Sequence, residues 1–388
     1  MEKTHGKPSL NRIYLDYNAS TPIAPEVAKE IQSFLVDRFG NPSANHWASH
    51  SLQETIHQSR ESVALLLGCN PEEIVFTSGA SEANNQALKG VFFGRQRRGN
   101  HIIATKIEHP SVLEACRFLE RVGAQVTYLE VDEFGLVSPE DVEKAITDQT
   151  ILISIMHANN EVGTIQPISE ISRIARKHGI YLHSDAAQSV GKIPVNVHEL
   201  GVDLLSVAGH KFYAPKGIGA LYIRSGVVLE SLIHGAGHES GRRAGTENVP
   251  YIAGLGKAAE LAAQDLSAEH LKALGQYFWN ELKNHFQDAI SLNGHPVHRL
   301  PNTFSINFHG YSGQDILQRL PEIAATTGSA CHTGSTSLSP ILSAMKVPEE
   351  KGRGAVRFSL GRYTTEEMIK KALTMIKERI PLITEGGN

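Results

Sequence analysis

The sequence predicts an α/β fold, with a large domain on a mainly parallel sheet joined to a smaller α+β domain. Three observations carry this. The chain has 388 residues, more than one compact core ordinarily serves. From roughly residue 20 to 265, short apolar runs alternate with amphipathic helical stretches, the pattern of strands joined by crossover helices. From Ala268 that alternation stops and a long helical stretch leads into a few strands. The large domain is placed at residues 16–265, and the small one at 1–15 with 266–388.

The predicted strands of the first region are Ile74–Phe76, His101–Thr105, Val126–Leu129, Ile151–Met156, Tyr181–His183, Leu204–Val207 and Ala220–Ile223. Each is an apolar run bounded by turn-forming residues. Ser169–His178 is an example of the helices between them. In the second region Ala268–Phe286 reads as a helix, Asn302–Phe308 and Ala355–Leu360 as strands, and Thr365–Arg379 as a last helix. In sheets of this kind, ligands sit in the loops that follow the strands.

Composition narrows the function classes. With 41% hydrophobic and 20% charged residues and a net charge of −4, the chain lacks the basic face of a nucleic-acid or membrane-surface binder. No apolar run approaches the length of a membrane span. The polar N-terminal segment is unlike a secretory signal, so a cytoplasmic location is expected. The three cysteines, Cys69, Cys116 and Cys331, form no C-x-x-C pair, which argues against a metal site and for a reducing compartment.

Two segments bear on catalysis. Gly209-His210-Lys211-Phe212-Tyr213 follows an apolar strand, so Lys211 stands on a turn where its amine can bond an aldehyde. His183-Ser184-Asp185-Ala186-Ala187-Gln188 ends another strand, 26 residues earlier. Singly, Lys211 reads as a surface lysine and Asp185 as a helix N-cap. Together they match a cofactor lysine and the acid that keeps a pyridine nitrogen protonated.

These two segments resemble those of the cysteine desulfurases and the related selenocysteine lyases. The resemblance starts at Tyr14-Leu15-Asp16-Tyr17-Asn18-Ala19, runs through Gly40-Asn41-Pro42-Ser43 and ends at Val356-Arg357-Phe358-Ser359-Leu360-Gly361-Arg362. It implies fold type I of the pyridoxal-phosphate (PLP) transferases, a homodimer, and conversion of L-cysteine to L-alanine. The sulfur then passes to an acceptor protein such as an iron–sulfur scaffold. Selenocysteine lyase, another PLP lyase or aminotransferase, and a binding protein on a degenerate fold are the alternatives.

Residue by residue, the resemblance makes Lys211, Cys331 and His109 catalytic. Ala80 and Ser81 would hold the PLP phosphate at the start of a helix, where free N–H groups suit an anion. His109 would stack on the ring, Asn159 would reach its phenolic oxygen and the substrate, and Gln188 would reach the same oxygen. The choice of Asn159 over Asn160 rests on the resemblance alone. His210 joins the cofactor set, and Thr246 would cross to the phosphate of the other subunit. Arg357 would grip the substrate carboxylate, against a protein carboxylate as its other candidate partner. Cys331 stands among small polar residues, whereas Cys69 and Cys116 read as core filler. One departure stands out: many relatives have serine three residues before the lysine, where this chain has Ala208.

Overall fold

The computed structural model describes residues 12–264, 268–327 and 338–382. After a short first strand, β1 (Ile13–Tyr14), seven strands build the large sheet. They are β2 (Ile74–Thr77), β3 (His101–Thr105), β4 (Gln125–Leu129), β5 (Thr150–Ser154), β6 (Tyr181–Asp185), β7 (Leu204–Ala208) and β8 (Gly219–Ile223). Their order is β2-β8-β7-β6-β5-β3-β4, and β8 alone runs against the rest. The predicted runs agree with these spans to within two residues at either end.

The near-continuous apolar character of these strands has a simple cause. Every residue of β3, β5, β7 and β8 is buried, because helices cover both faces of a parallel sheet. One core contains Ile103, Ile153, Leu205 and Val207, and another, on the opposite face, contains Ile102, Leu152, Leu204 and Leu221. Alternate residues of β3 and β7 therefore feed alternate cores.

A second sheet has the order β12-β10-β9, with β9 (Ile290–Asn293), β10 (Thr303–Phe308) and β12 (Ala355–Ser359) all antiparallel. Between them, β11 (Ile323–Ala324) pairs in parallel with β1. The helices Ala268–Phe286 and Glu366–Arg379 pack here around a phenylalanine cluster, in which Phe278 meets Phe358 edge-on at 5.4 Å. No helix among the described residues is long and apolar enough to cross a membrane.

The topology sets the site. β2, β3, β5, β6 and β7 run the same way, so the loops after all five open on one edge of the sheet. One close approach depends on a glycine. A Cβ on Gly219 would stand 2.7 Å from the Cα of Gly79, so only glycine lets β8 lie against the loop after β2.

Candidate active site

At that edge lies a cavity of about 500 Å³. Its wall includes Ala80, Ser81, His109, Asp185, Gln188, His210, Lys211 and Arg357, which lie far apart in sequence. The cavity also exposes Asn160, Ala208 and Lys216.

The helix Ala80–Gly94 begins directly on the wall. Its N-cap, Gly79, has φ 146°, a conformation that side chains rarely adopt, and its first-turn N–H groups have no helical acceptor. Glu82 fixes this start by accepting from the Ser78 N–H at 2.8 Å and pairing with Arg243 at 2.9 Å.

Asp185 closes β6 and is 6% exposed. One carboxylate oxygen accepts from the Ala187 N–H at 2.9 Å and the other from Asn84 Nδ2 at 2.7 Å. The first contact closes a local turn, since no helix follows β6 directly, and the second comes from 101 residues away. Asn84 Nδ2 also donates to Ser111 Oγ at 2.8 Å, and Ser111 Oγ lies 2.8 Å from His109 Nδ1. The Ser111 N–H donates to the same Nδ1 at 3.2 Å. Nδ1 is thereby an acceptor, so neutral His109 carries its hydrogen on Nε2. Enclosure by the cavity walls lowers the pKa of His109, which favours the neutral ring. Burial does the same more strongly for His183 and His210, each pushed down to about 4.

Lys211 ends a short 3₁₀ turn after β7. Its amine donates to the main-chain oxygens of Asn18 at 2.6 Å and Ala19 at 2.9 Å. Burial first, then the neighbouring Arg357 cation, lowers it from 10.5 to about 8. A lysine so placed is partly neutral, and hence nucleophilic, near physiological pH.

Arg357 lies in β12 and reaches across from the second sheet. It donates to Asp16 at 2.8 Å and to the Asn160 carbonyl at 2.9 Å, while its buried Nε has no partner among the described residues. The protein carboxylate weighed as its partner is thus present, as Asp16.

Two expected residues lie elsewhere. Asn159 is fully buried and off the cavity wall, where its side-chain oxygen accepts from the N–H groups of Glu161 and Val162. Its neighbour Asn160 lines the cavity instead. Thr246 lines an adjacent cavity of about 160 Å³, whose wall shares Ser78, Gly217 and Ile218 with the main one. Cys331 falls outside the described residues. The other two thiols are poor nucleophiles, because burial pushes both Cys69 and Cys116 up to about 12.

The profile of the aminotransferase class-V family matches residues 13–372. A cysteine desulfurase IscS of Dictyoglomus turgidum is 50% identical over 372 residues, covering 95% of this chain and 94% of its own. The chain belongs to the class-V aminotransferases and, among them, to the cysteine desulfurases. A second IscS, from Methanosarcina thermophila, is 44% identical over 94% of this chain and 91% of its own. Among solved structures, a NifS-like protein superposes with a TM-score of 0.88 at 39% identity, covering 95% of this chain and 98% of that one. A structure described as SspA in complex with cysteine matches with a TM-score of 0.82 at 40% identity, over 91% of this chain and all of that one.

Desulfurases of this family depend on PLP, and the residues present fit it. The cavity joins a helix start for a phosphate, an acid for a ring nitrogen and a lysine of lowered pKa for an aldehyde. Sequence reasoning missed Asn84, Ser111 and Asn18, which hold those groups in place. Asn18 lies within a family motif, but its role depends on partners some 140 to 340 residues away, such as Asn160 and Ser359.

Proposed function

We propose that this cavity converts L-cysteine to L-alanine, with the sulfur held as a persulfide on Cys331 and passed to an acceptor protein. The observation that carries this is the meeting of Lys211, Asp185, His109 and Arg357 on one wall. When bound, PLP supplies an electron sink for the electrons of the substrate Cα–H bond.

The residues divide the work. Lys211 carries the cofactor and, once its amine is free, takes the Cα proton on Nζ. The Asp185 carboxylate holds the proton at the ring nitrogen, and Asn84 orients that carboxylate by donating to it. Ala80 and Ser81 hold the phosphate from the helix start, with Lys216 near enough in the wall to add charge. Asn160, rather than Asn159, serves the phenolic side together with Gln188, since both line the cavity. His109 moves the proton at the substrate sulfur through Nε2, and Arg357 receives the substrate carboxylate. The Cys331 thiolate attacks that sulfur, the C–S bond breaks, and the freed carbon takes a proton to become the methyl of alanine. Lys211 returns the proton to Cα, so that one sulfur has left cysteine for Cys331 and alanine is complete.

Thr246 lines the adjacent cavity and not the main one, and in a homodimer it would reach the phosphate of the second site. The Arg243–Glu82 pair would tie that loop to the helix start. A cytoplasmic location suits unpaired cysteines. Incubating the purified, cofactor-loaded protein with L-cysteine and then L-selenocysteine, while measuring alanine, tests the reading. Alanine from L-cysteine with sulfur on Cys331 supports it, and alanine from selenocysteine alone overturns it in favour of a lyase.

A further inference from the structure

We infer that Lys192 is a positioning residue for the cofactor cavity, which fixes the Gln188 amide so that its N–H₂ end faces the cofactor's phenolic oxygen as a donor. This rests on the proposed cofactor role of Gln188.

Lys192 is 5% exposed, an unusual state for a lysine. Its amine donates to Gln188 Oε1 at 2.7 Å and to Asn18 Oδ1 at 2.9 Å. Neither partner is a carboxylate, so no ion pair among the described residues explains why this lysine is buried. Its placement is built into the chain. Gly191 has φ 75°, and a Cβ there would lie 2.5 Å from the Cβ of Phe212, the residue after Lys211. Glycine lets the turn after β6 close against the lysine turn and turns Lys192 inward.

Lysine can donate and cannot accept while charged. An amide's two ends have nearly the same shape, so neighbours decide which way it faces. Here Lys192 claims the oxygen of Gln188, and the nitrogen must point the other way. Nε2 gives one hydrogen to the Asn18 carbonyl at 3.0 Å and has a second for the cavity, whose wall Gln188 shares. Asn18 is fixed by the same contact. With its oxygen taken by Lys192 and by Asn302 Nδ2, its own Nδ2 donates to the Asn160 carbonyl and to Thr303 Oγ1. Burial and the nearby Lys211 and Arg357 cations hold Lys192 well below the ordinary lysine range. A neutral amine keeps the two N–H groups used here, so both donations remain available after loss of its proton.

The test is a double-mutant cycle on Lys192→Met and Gln188→Ala, read as the rate at which PLP leaves the holoenzyme on dialysis and as the position of its visible band. Each single variant should lose PLP roughly tenfold faster, the worth of about one hydrogen bond. Both should shift the band alike. The double variant should match Gln188→Ala alone, since Lys192 acts through Gln188. Effects that multiply in the double variant, or an unchanged loss rate in Lys192→Met, overturn the inference while leaving the role of Gln188 intact. If Gln188→Ala itself has no effect, the reading of Gln188 as a cofactor ligand fails, and this inference with it. Should Lys192→Met not fold, Lys192→Gln is carried through the same cycle, and any effect it has must likewise vanish in the Gln188→Ala background.

Discussion

Asp185 and His109 are joined by two side chains: Asn84 donates to both Asp185 and Ser111, and Ser111 lies 2.8 Å from His109 Nδ1. Asn84 is fully buried and uses one N–H on each neighbour. Asn84→Ala should therefore disturb both groups at once. The expected loss in kcat is roughly tenfold or more, the scale of one charge-assisted hydrogen bond at about 1.5–3 kcal/mol. KM for L-cysteine should change little, because Asn84 does not line the substrate cavity. Steady-state kinetics with alanine detection checks this, and an effect on KM alone would refute it.

Lys211 supplies a pH prediction. Only its neutral amine bonds an aldehyde, and that form appears as the pH rises through about 8. The rate at which cofactor-free protein gains visible absorbance on mixing with PLP should rise with pH and reach half its maximum near 8. A midpoint near the ordinary 10.5 would show that the cavity does not tune this lysine. Lys211→Ala should give no such absorbance and no turnover.

Glu161 is 2% exposed, accepts from Ser339 Oγ at 2.7 Å, and has its other oxygen without a partner among the described residues. Burial raises its carboxyl from 4.5 to about 7, more than Ser339 and Arg357 lower it. The folded state thus holds this proton more tightly than the unfolded chain does. The stability this confers is complete below 4.5 and is lost as pH rises through about 7. Glu161→Gln has no proton to lose. Its thermal midpoint should exceed that of the wild type above neutrality by a few degrees, from a gain of up to ~3 kcal/mol. At about pH 5 the two should coincide. Melting curves across that range decide, and equal midpoints at high pH would mean that Glu161 titrates normally.

Cys331→Ala should abolish alanine formation from L-cysteine while leaving the visible cofactor spectrum unchanged. Cys69 and Cys116 cannot substitute, because burial holds both as thiols with values near 12. L-Selenocysteine should still be cleaved by the variant, since selenium leaves more readily than sulfur. Mass spectrometry of the wild type after L-cysteine should find one added sulfur, on the peptide carrying Cys331. Sulfur on either other cysteine would defeat the mechanism.

Ala208 is 2% exposed and faces the cavity three residues before Lys211. Ala208→Ser adds one hydroxyl there. It should slow cofactor loss about fivefold, for a hydrogen bond of about 1 kcal/mol. An unchanged rate on dialysis would mean that another donor already serves that side of the phosphate.

The sequence by itself determined the strands, the order of the motifs and the family, because apolar period and turn chemistry are local properties. β3 and the helix Ala268–Phe286 coincide with their predicted spans, and β6 runs two residues past its own to include Asp185. The strand-end positions of Lys211 and Asp185 were legible too, since they follow from the spans of β7 and β6. Tertiary structure alone decided the rest. Asn159 and Asn160 are adjacent and identical, and only the turn that spends the first on the N–H groups of Glu161 and Val162 gives the second to the cavity. The contact between Asn18 and Lys211 spans 193 residues, and that between Arg357 and Asp16 spans 341. Hydrogen-bond partners at such separations are set by how sheets and loops pack against one another, and no pattern of neighbouring residues encodes them.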